Sequence, residues 1–292
     1  MKRITLLAVA AAVVFAGGLS GCSKEKGVLP RGETCRLSLS GMALKTETKA
    51  GTESLPGDFE LGVHVVDQTS GENLGNAALT NIKHVTDASG AISNTNQDPI
   101  ILTTGYTYDV YAYSPYIDGV TAATSSSIPF IHGQDVLWAK TAGEKPNAAT
   151  HNTELTFEHK TAQISFVPVA DPASNPDLTG ARLTVTGFMG VGYLDLATGK
   201  VTADPRGQAV QYTGSDEAFC FLPADGKMSL NVTVKIPAGR SAGTYSGVIT
   251  RVFEPGTSYR ITVTVIDRNS QLGLTAGVVP WVNETGDVEV NN

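Results

Sequence analysis

Thiols, imidazoles and exposed amines are the groups in this chain able to take part in chemistry. The sequence has three cysteines and five histidines. Cys22 has the strongest context. It follows Leu19-Ser20-Gly21, which is preceded by the positive start Met1-Lys2-Arg3 and the apolar run ITLLAVAAAVVFAGG. Charged, apolar and small-residue segments in that order form an export signal rather than a membrane span, which needs about 20 apolar residues. A cysteine directly after the small residues is the acceptor of a bacterial lipoprotein signal. Cleavage before Cys22 removes residues 1–21, and the thiol takes the acyl chains. Each buried methylene contributes about 0.8 kcal/mol of membrane affinity, so a multiply acylated Cys22 anchors firmly.

The other two cysteines are Cys35 and Cys220. An exported pair can form a disulfide, yet one pair in so long a chain is no disulfide framework. Cys35 lies in the apolar register of its run, which fits a buried thiol acting as a small hydrophobe. The histidines, at 64, 84, 132, 151 and 159, are dispersed, and no CxxC or HxxxH spacing offers a metal site. Neither GxSxG, HExxH, a P-loop nor GxGxxG occurs, and no acidic run has calcium-loop spacing. The expectation is no catalysis, no cofactor and no metal. One binding chemistry is suggested instead: Tyr106, Tyr108, Tyr111, Tyr113, Tyr116 and Trp138 could stack on sugar rings. Strand tyrosines also fill cores, so this stays an alternative.

The formal net charge is −7. Loss of Lys2 and Arg3 with the signal makes it −9. Residues 22–49 hold six basic and three acidic side chains, a net of +3, which leaves −12 from Ala50 onward. Nucleic acid is excluded as a partner, since phosphate binding needs a clustered basic patch. A scattered acidic surface suits an exported protein.

The elements that position these groups read as strands throughout. In KMSLNVTVKI, Met228, Leu230, Val232, Val234 and Ile236 share one face; in SYRITVTVID, Tyr259, Ile261, Val263 and Val265 do. FELGVHVV gives Phe59, Leu61, Val63 and Val65, with His64 on the outer side. YTYDVYAY gives Tyr106, Tyr108, Val110 and Ala112, with Tyr111 and Tyr113 opposite. Period-two alternation means sheets with one face on a core and one in water, as in antiparallel sandwiches. Turns at 87–90, 197–200 and 254–257 pair a turn former with glycine, and YLDLATGKVTAD reads as a hairpin. About 240 residues of such structure suit one large sandwich or two of roughly 100–130 residues each. The polar stretch KTAGEKPNAATHN (140–152) is the expected boundary.

Ordered short motifs along nearly the whole chain resemble one family, the Bacteroidetes fimbrillins, subunits of type V pili. They are LSGC, TKAG, YDVYAYSPY (108–116), GQDVLWAK (133–140), LTFEHKTAQISF (155–166), FLPADG (221–226), PGTSYRITVTV (255–265) and VVPWVNETGDVEV at the end. The resemblance implies an all-β fold of two tandem transthyretin-like antiparallel β-sandwich domains, made as an outer-membrane lipoprotein. It implies residues 1–21 as signal peptide, 22–49 as propeptide, and sandwiches over 50–152 and 153–292. A surface protease of trypsin-like preference cuts beyond the first strand, and a strand from a neighbouring subunit fills the groove that opens.

Carried onto this chain, the removable strand is residues 34–44, with Cys35, Leu37 and Leu39 on its inward face. The cut falls between Lys49 and Ala50, with Lys45 a second site. LGLTAGVV, with Leu272, Leu274, Ala276 and Val278 on one face, is the expected donor, and Val288 and Val290 continue the pattern beyond Pro280. Partners are other fimbrial subunits in a head-to-tail polymer, the outer membrane through lipid, a processing protease, and a host or bacterial receptor. One departure stands out. Relatives with arginine at the cut suit an Arg-specific protease, whereas this chain has lysine. Competing readings are a tip or lipid-anchored base subunit and, from another class, a monomeric sugar-binding lipoprotein.

Overall fold

The computed structural model describes residues 30–44, 52–55, 57–68, 81–87, 89–94, 99–204, 210–213, 217–267 and 271–281. Twenty strands and no helix are found among these residues. In chain order they are β1 (Thr34–Leu44), β2 (Thr52–Ser54), β3 (Glu60–Asp67), β4 (Ile82–Thr86), β5 (Ala91–Asn94), β6 (Ile101–Thr103), β7 (Tyr108–Ser114), β8 (Ile128–Ile131), β9 (Leu137–Glu144) and β10 (Thr150–His159). Then follow β11 (Ala162–Ala170), β12 (Arg182–Phe188), β13 (Val191–Asp195), β14 (Lys200–Ala203), β15 (Val210–Thr213), β16 (Phe219–Phe221), β17 (Lys227–Ile236), β18 (Gly243–Val252), β19 (Ser258–Ile266) and β20 (Gln271–Val279).

The first sheet runs β10-β9-β7-β3-β4-β5-β1 and closes on itself, because β1 also pairs with β10; β2 and β6 attach to β1. Its interior holds Leu37, Leu39, Leu61, Val63, Val65, Val110, Ala112, Leu155 and Phe157. The second sheet runs β15-β12-β17-β18-β20-β19-β11-β16. β18 and β20 share a single pair, Ser246 with Gln271, whereas β17–β18 and β19–β20 are paired along their lengths. The sheet is therefore two layers joined at one corner around a shared core. Met228, Leu230, Val232, Val234 and Ile236 all enter that core, as do Tyr259, Ile261, Val263 and Val265. Pairing is mostly antiparallel, as the alternation implied, but β1–β10 and β11–β19 are long parallel pairs.

A third sheet, β14-β13-β8, packs over the outer side of the first. The hairpin expected in YLDLATGKVTAD is β13–β14, with Leu194 opposite Val201. Asp195 directs its turn: its Oδ1 accepts from Ala197 N at 2.9 Å and its carbonyl accepts from Gly199 N at 2.8 Å. Gly199 is needed there, because its φ is +68° and a Cβ would stand 2.5 Å from the Trp138 ring. Trp138 Nε1 donates to Leu196 O at 2.8 Å, so the hairpin is tied to β9.

This cover corrects one sequence expectation. The alternation puts His64 on the water side of its strand, yet it is fully buried, with its ring 5.9 Å from that of Tyr113. Strands β3 and β7 lie between the first core and the third sheet, so both of their faces are covered. Tyr108, Val110 and Ala112 enter the first core while Tyr111 and Tyr113 enter the second cluster with Ile128, Phe130, Leu194 and Leu196. Residues 140–152, expected as a boundary, contain the end of β9 and the start of β10, both strands of the first sheet. The change of sheet comes at Lys160–Thr161.

Candidate functional site

β1 is the strand that closes the first sheet. On one side it pairs in parallel with β10 through eight consecutive residues, Arg36 with Thr150 to Ala43 with Phe157. On the other it meets β6 at 34–36, β5 at 39–40 and β2 at 42–44. The alternation predicted for it is present: Cys35, Leu37 and Leu39 are 1%, 7% and 6% exposed, while Arg36, Ser38 and Ser40 face water. Gly41 continues the inward face where a Cβ would lie 2.8 Å from Leu55 Cδ1. Burying side chains of this size contributes about 1.5–3 kcal/mol each for the leucines. Withdrawing the strand would bare those pockets and both flanking backbone edges, which is costly unless they are refilled.

The entry to β1 is fastened. Gly32 N donates to Thr104 O at 3.0 Å, Thr104 N to Glu33 O at 2.8 Å and Glu33 N to Thr104 Oγ1 at 3.0 Å. The Thr104 hydroxyl in turn donates to Pro30 O. Arg31 lies over the Tyr106 ring, 5.9 Å from its centroid. The Arg36 backbone is paired on both sides. Neither arginine is thus in an open, extended stretch of the kind proteases prefer. Nothing in the sequence pattern around Thr104 pointed to this fastening, since its partners lie 71 and 74 residues away.

Lys45, Lys49, Ala50 and Cys22 lie outside the described residues. Leu44, at the end of β1, pairs with Thr52, at the start of β2. The lysines therefore fall in the connection between two antiparallel strands, and a cut there would separate β1 from β2 and all that follows.

The expected donor segment is β20. It pairs antiparallel with β19 through nine residues, and Leu272, Leu274 and Ala276 pack against the second core. Val278 is 62% exposed. No residue of β20 reaches full burial, because its β18 side is almost unpaired. The segment is docked in its own subunit, paired along its β19 edge and at one residue pair with β18.

Two other candidates resolve plainly. Cys35 and Cys220 are free, buried thiols, and burial pushes the Cys35 thiol up from its usual pKa. Tyr108, Tyr111 and Tyr113 are buried and cannot present a ring face to a sugar; only Tyr106, Tyr116 and Trp138 keep partial exposure.

Buried imidazoles make stability depend on pH. Burial lowers His64 and His132 to a pKa of about 4, opposed at His64 by the Asn81 side chain. His132 sits against Phe188 and Phe219, with ring centroids 5.0 and 5.4 Å away. Each folded-state pKa lies below the unfolded one, so the neutral form is favoured in the fold. Their contribution is complete above the ordinary histidine pKa of about 6.5 and is lost as pH falls from there toward 4. Between pH 8 and pH 5 each should remove about 2 kcal/mol of stability. Urea unfolding at both pH values checks this. His132→Leu should shrink the difference, and an unchanged difference would show that the His132 pKa is the same in the folded and unfolded chain.

The sequence matches the family described as fimbrillin-like over residues 48–281. No curated protein matches it. Solved structures of proteins described as cell adhesion proteins are similar in fold. One from Bacteroides ovatus has a TM-score of 0.65 at 17% identity, covering 86% of this chain and 99% of that one. One from Bacteroides uniformis has 0.62 at 16%, covering 85% and 98%. A third, from Bacteroides fragilis, has 0.53 at 14%, covering 87% and 100%. The family is structural and adhesive rather than enzymatic. Its match spans most of the chain, from just before the candidate cut to the end of β20 and Trp281, and the chain belongs to the fimbrillin-like family.

Proposed function

We propose that this protein is a structural subunit of a cell-surface fimbrium that supports adhesion, assembled by removal of β1 and its replacement with a strand from a neighbouring subunit. The observation that carries this reading is the position of β1. It completes a closed sheet, its apolar face is buried, and the connection that follows it holds the lysines. A strand from another subunit supplies both missing features, since backbone hydrogen bonds give affinity and alternate side chains fill the pockets. A head-to-tail contact of this kind need not close, so it propagates into a fibre. The donor is the segment around β20, paired along its length on the β19 side alone.

In the same reading, residues 1–21 are the signal peptide and 22–49 the propeptide. The first unit then runs from Ala50 to His159, and the second follows. Cys22 carries lipid, which holds the precursor at the outer membrane until the cut frees it. Cys22→Ala should remove acyl labelling from the precursor; labelling that persists in the variant excludes Cys22 as the acceptor.

The direct test is the N-terminal residue of subunits recovered from sheared surface fibres. Ala50 is expected. A second reading is favoured by the lysine where an Arg-specific protease needs arginine: a base subunit that keeps β1 and its lipid. An acylated Cys22 as the fibre N-terminus would select that reading over the first.

A further inference from the structure

The outer face of β15-β12-β17-β18 carries polar side chains on all four strands. Its outward positions form rows across the four strands. One row is Thr213, Thr184, Thr233 and Ser246; the next is Gln211, Thr186, Asn231 and Val248. Ser229 and Thr250 continue the pattern, with their hydroxyls 2.8 Å apart. All of these positions are exposed or half-exposed. None is a carboxylate, in a protein of formal net charge −7.

Among the described residues, the charged ones on this face are all basic. Arg182 stands directly opposite Lys235 at one end, and Lys227 lies at the other end of β17. Like charges directly opposite one another destabilise a sheet unless something compensates them. Among the described residues, no carboxylate forms an ion pair with any of the three. Two independent observations therefore converge: an array of hydroxyl and amide groups, and beside it a pair of cations with no ion-pair partner among the described residues.

We infer that this face binds a linear, uronate-bearing polysaccharide. Hydroxyl and amide side chains exchange hydrogen bonds with sugar hydroxyls, as both partners donate and accept. Strands stand about 4.8 Å apart, and Lys227 and Lys235 are separated by roughly 27 Å along β17. A chain of sugars laid along β17 thus meets polar side chains along its length and a cation at each end. Exposed Val248, within the second row, and Val252, opposite Lys227, offer apolar surface to the sugar rings. The uronate carboxylates supply counter-charge to Arg182 and Lys235. A neutral polysaccharide leaves that repulsion in place, and a plain polyanion lacks the hydroxyls. The surface is separate from β1 and from the connection to β2, so it operates whether or not the strand is exchanged.

The test is binding of the purified protein to polygalacturonate, with dextran and poly-glutamate as controls, at fixed ionic strength. Polygalacturonate should bind at least tenfold more tightly than either control. Arg182→Gln with Lys235→Gln should weaken it at least tenfold, and Thr184→Glu with Thr233→Glu should abolish it. Lys145→Gln, on an exposed turn elsewhere, should change nothing. Lys235→Gln alone should raise the urea midpoint, because it relieves a like-charge pair; this reads the fold separately from the ligand. Should the glutamate variant lose its fold, the Arg182/Lys235 variant decides. Equal binding of poly-glutamate, absence of binding to polygalacturonate, or variants that bind like wild type would each overturn the assignment.

Discussion

Replacing Lys45 and Lys49 together by glutamine is expected to leave the protein monomeric after treatment with a Lys-cutting protease, whereas the treated wild-type chain should form SDS-resistant ladders. The reason is competition for one groove. A tethered β1 meets its groove at an effective concentration in the millimolar range or above, whereas a donor strand from another molecule arrives at its bulk concentration. The tethered strand wins while the connection to β2 is intact. Limited digestion with a Lys-cutting protease removes the tether, and the body should then begin at Ala50. Arg31→Gln should have no effect, because that residue lies upstream of β1 and is held against Tyr106. Deleting residues 272–292 should give a body that accepts a donor yet cannot extend the fibre. Ladders of normal length from the double lysine variant would remove cleavage as the switch and leave the anchoring-subunit reading in its place.

Val232→Asp or Val263→Asp is expected to unfold the second unit. Both side chains are fully buried, and both lie in the same core. A carboxylate there has no partner to offset its desolvation, and an uncompensated buried charge costs several kcal/mol. That is a large share of the ~5–15 kcal/mol by which domains are stable. Thr233→Asp and Thr262→Asp, one residue along each strand, should cost far less, since both positions are half-exposed. Circular dichroism with urea titration separates the two sets. Equal destabilisation would mean that burial does not separate the two faces of these strands. Thr233→Asp has a second use: it should keep the fold while weakening polysaccharide binding, so it divides stability from surface chemistry at a single position.

Alternation by itself identified β1, β17 and β19 and the inward face of each, because a half-buried strand writes its burial directly into every second residue. Cys35, Leu37 and Leu39 were legible in this way, as was the β13–β14 hairpin with its turn residues. The sequence also determined the charge balance and the presence of lysines between two strand-forming segments. What it could not carry was who sits beside whom. β1 pairs in parallel with β10, more than a hundred residues later, and no local pattern encodes a partner at that distance. His64 went astray for the same reason: its outward direction was right, but β8 and β13 come from separate parts of the chain to build the layer that covers that side. The polar run at 140–152 looked like a linker because the strand ends it contains are exposed and break the alternation. Only the tertiary structure brings Arg182 opposite Lys235, since strand register, not spacing along the chain, decides which outward residues become neighbours.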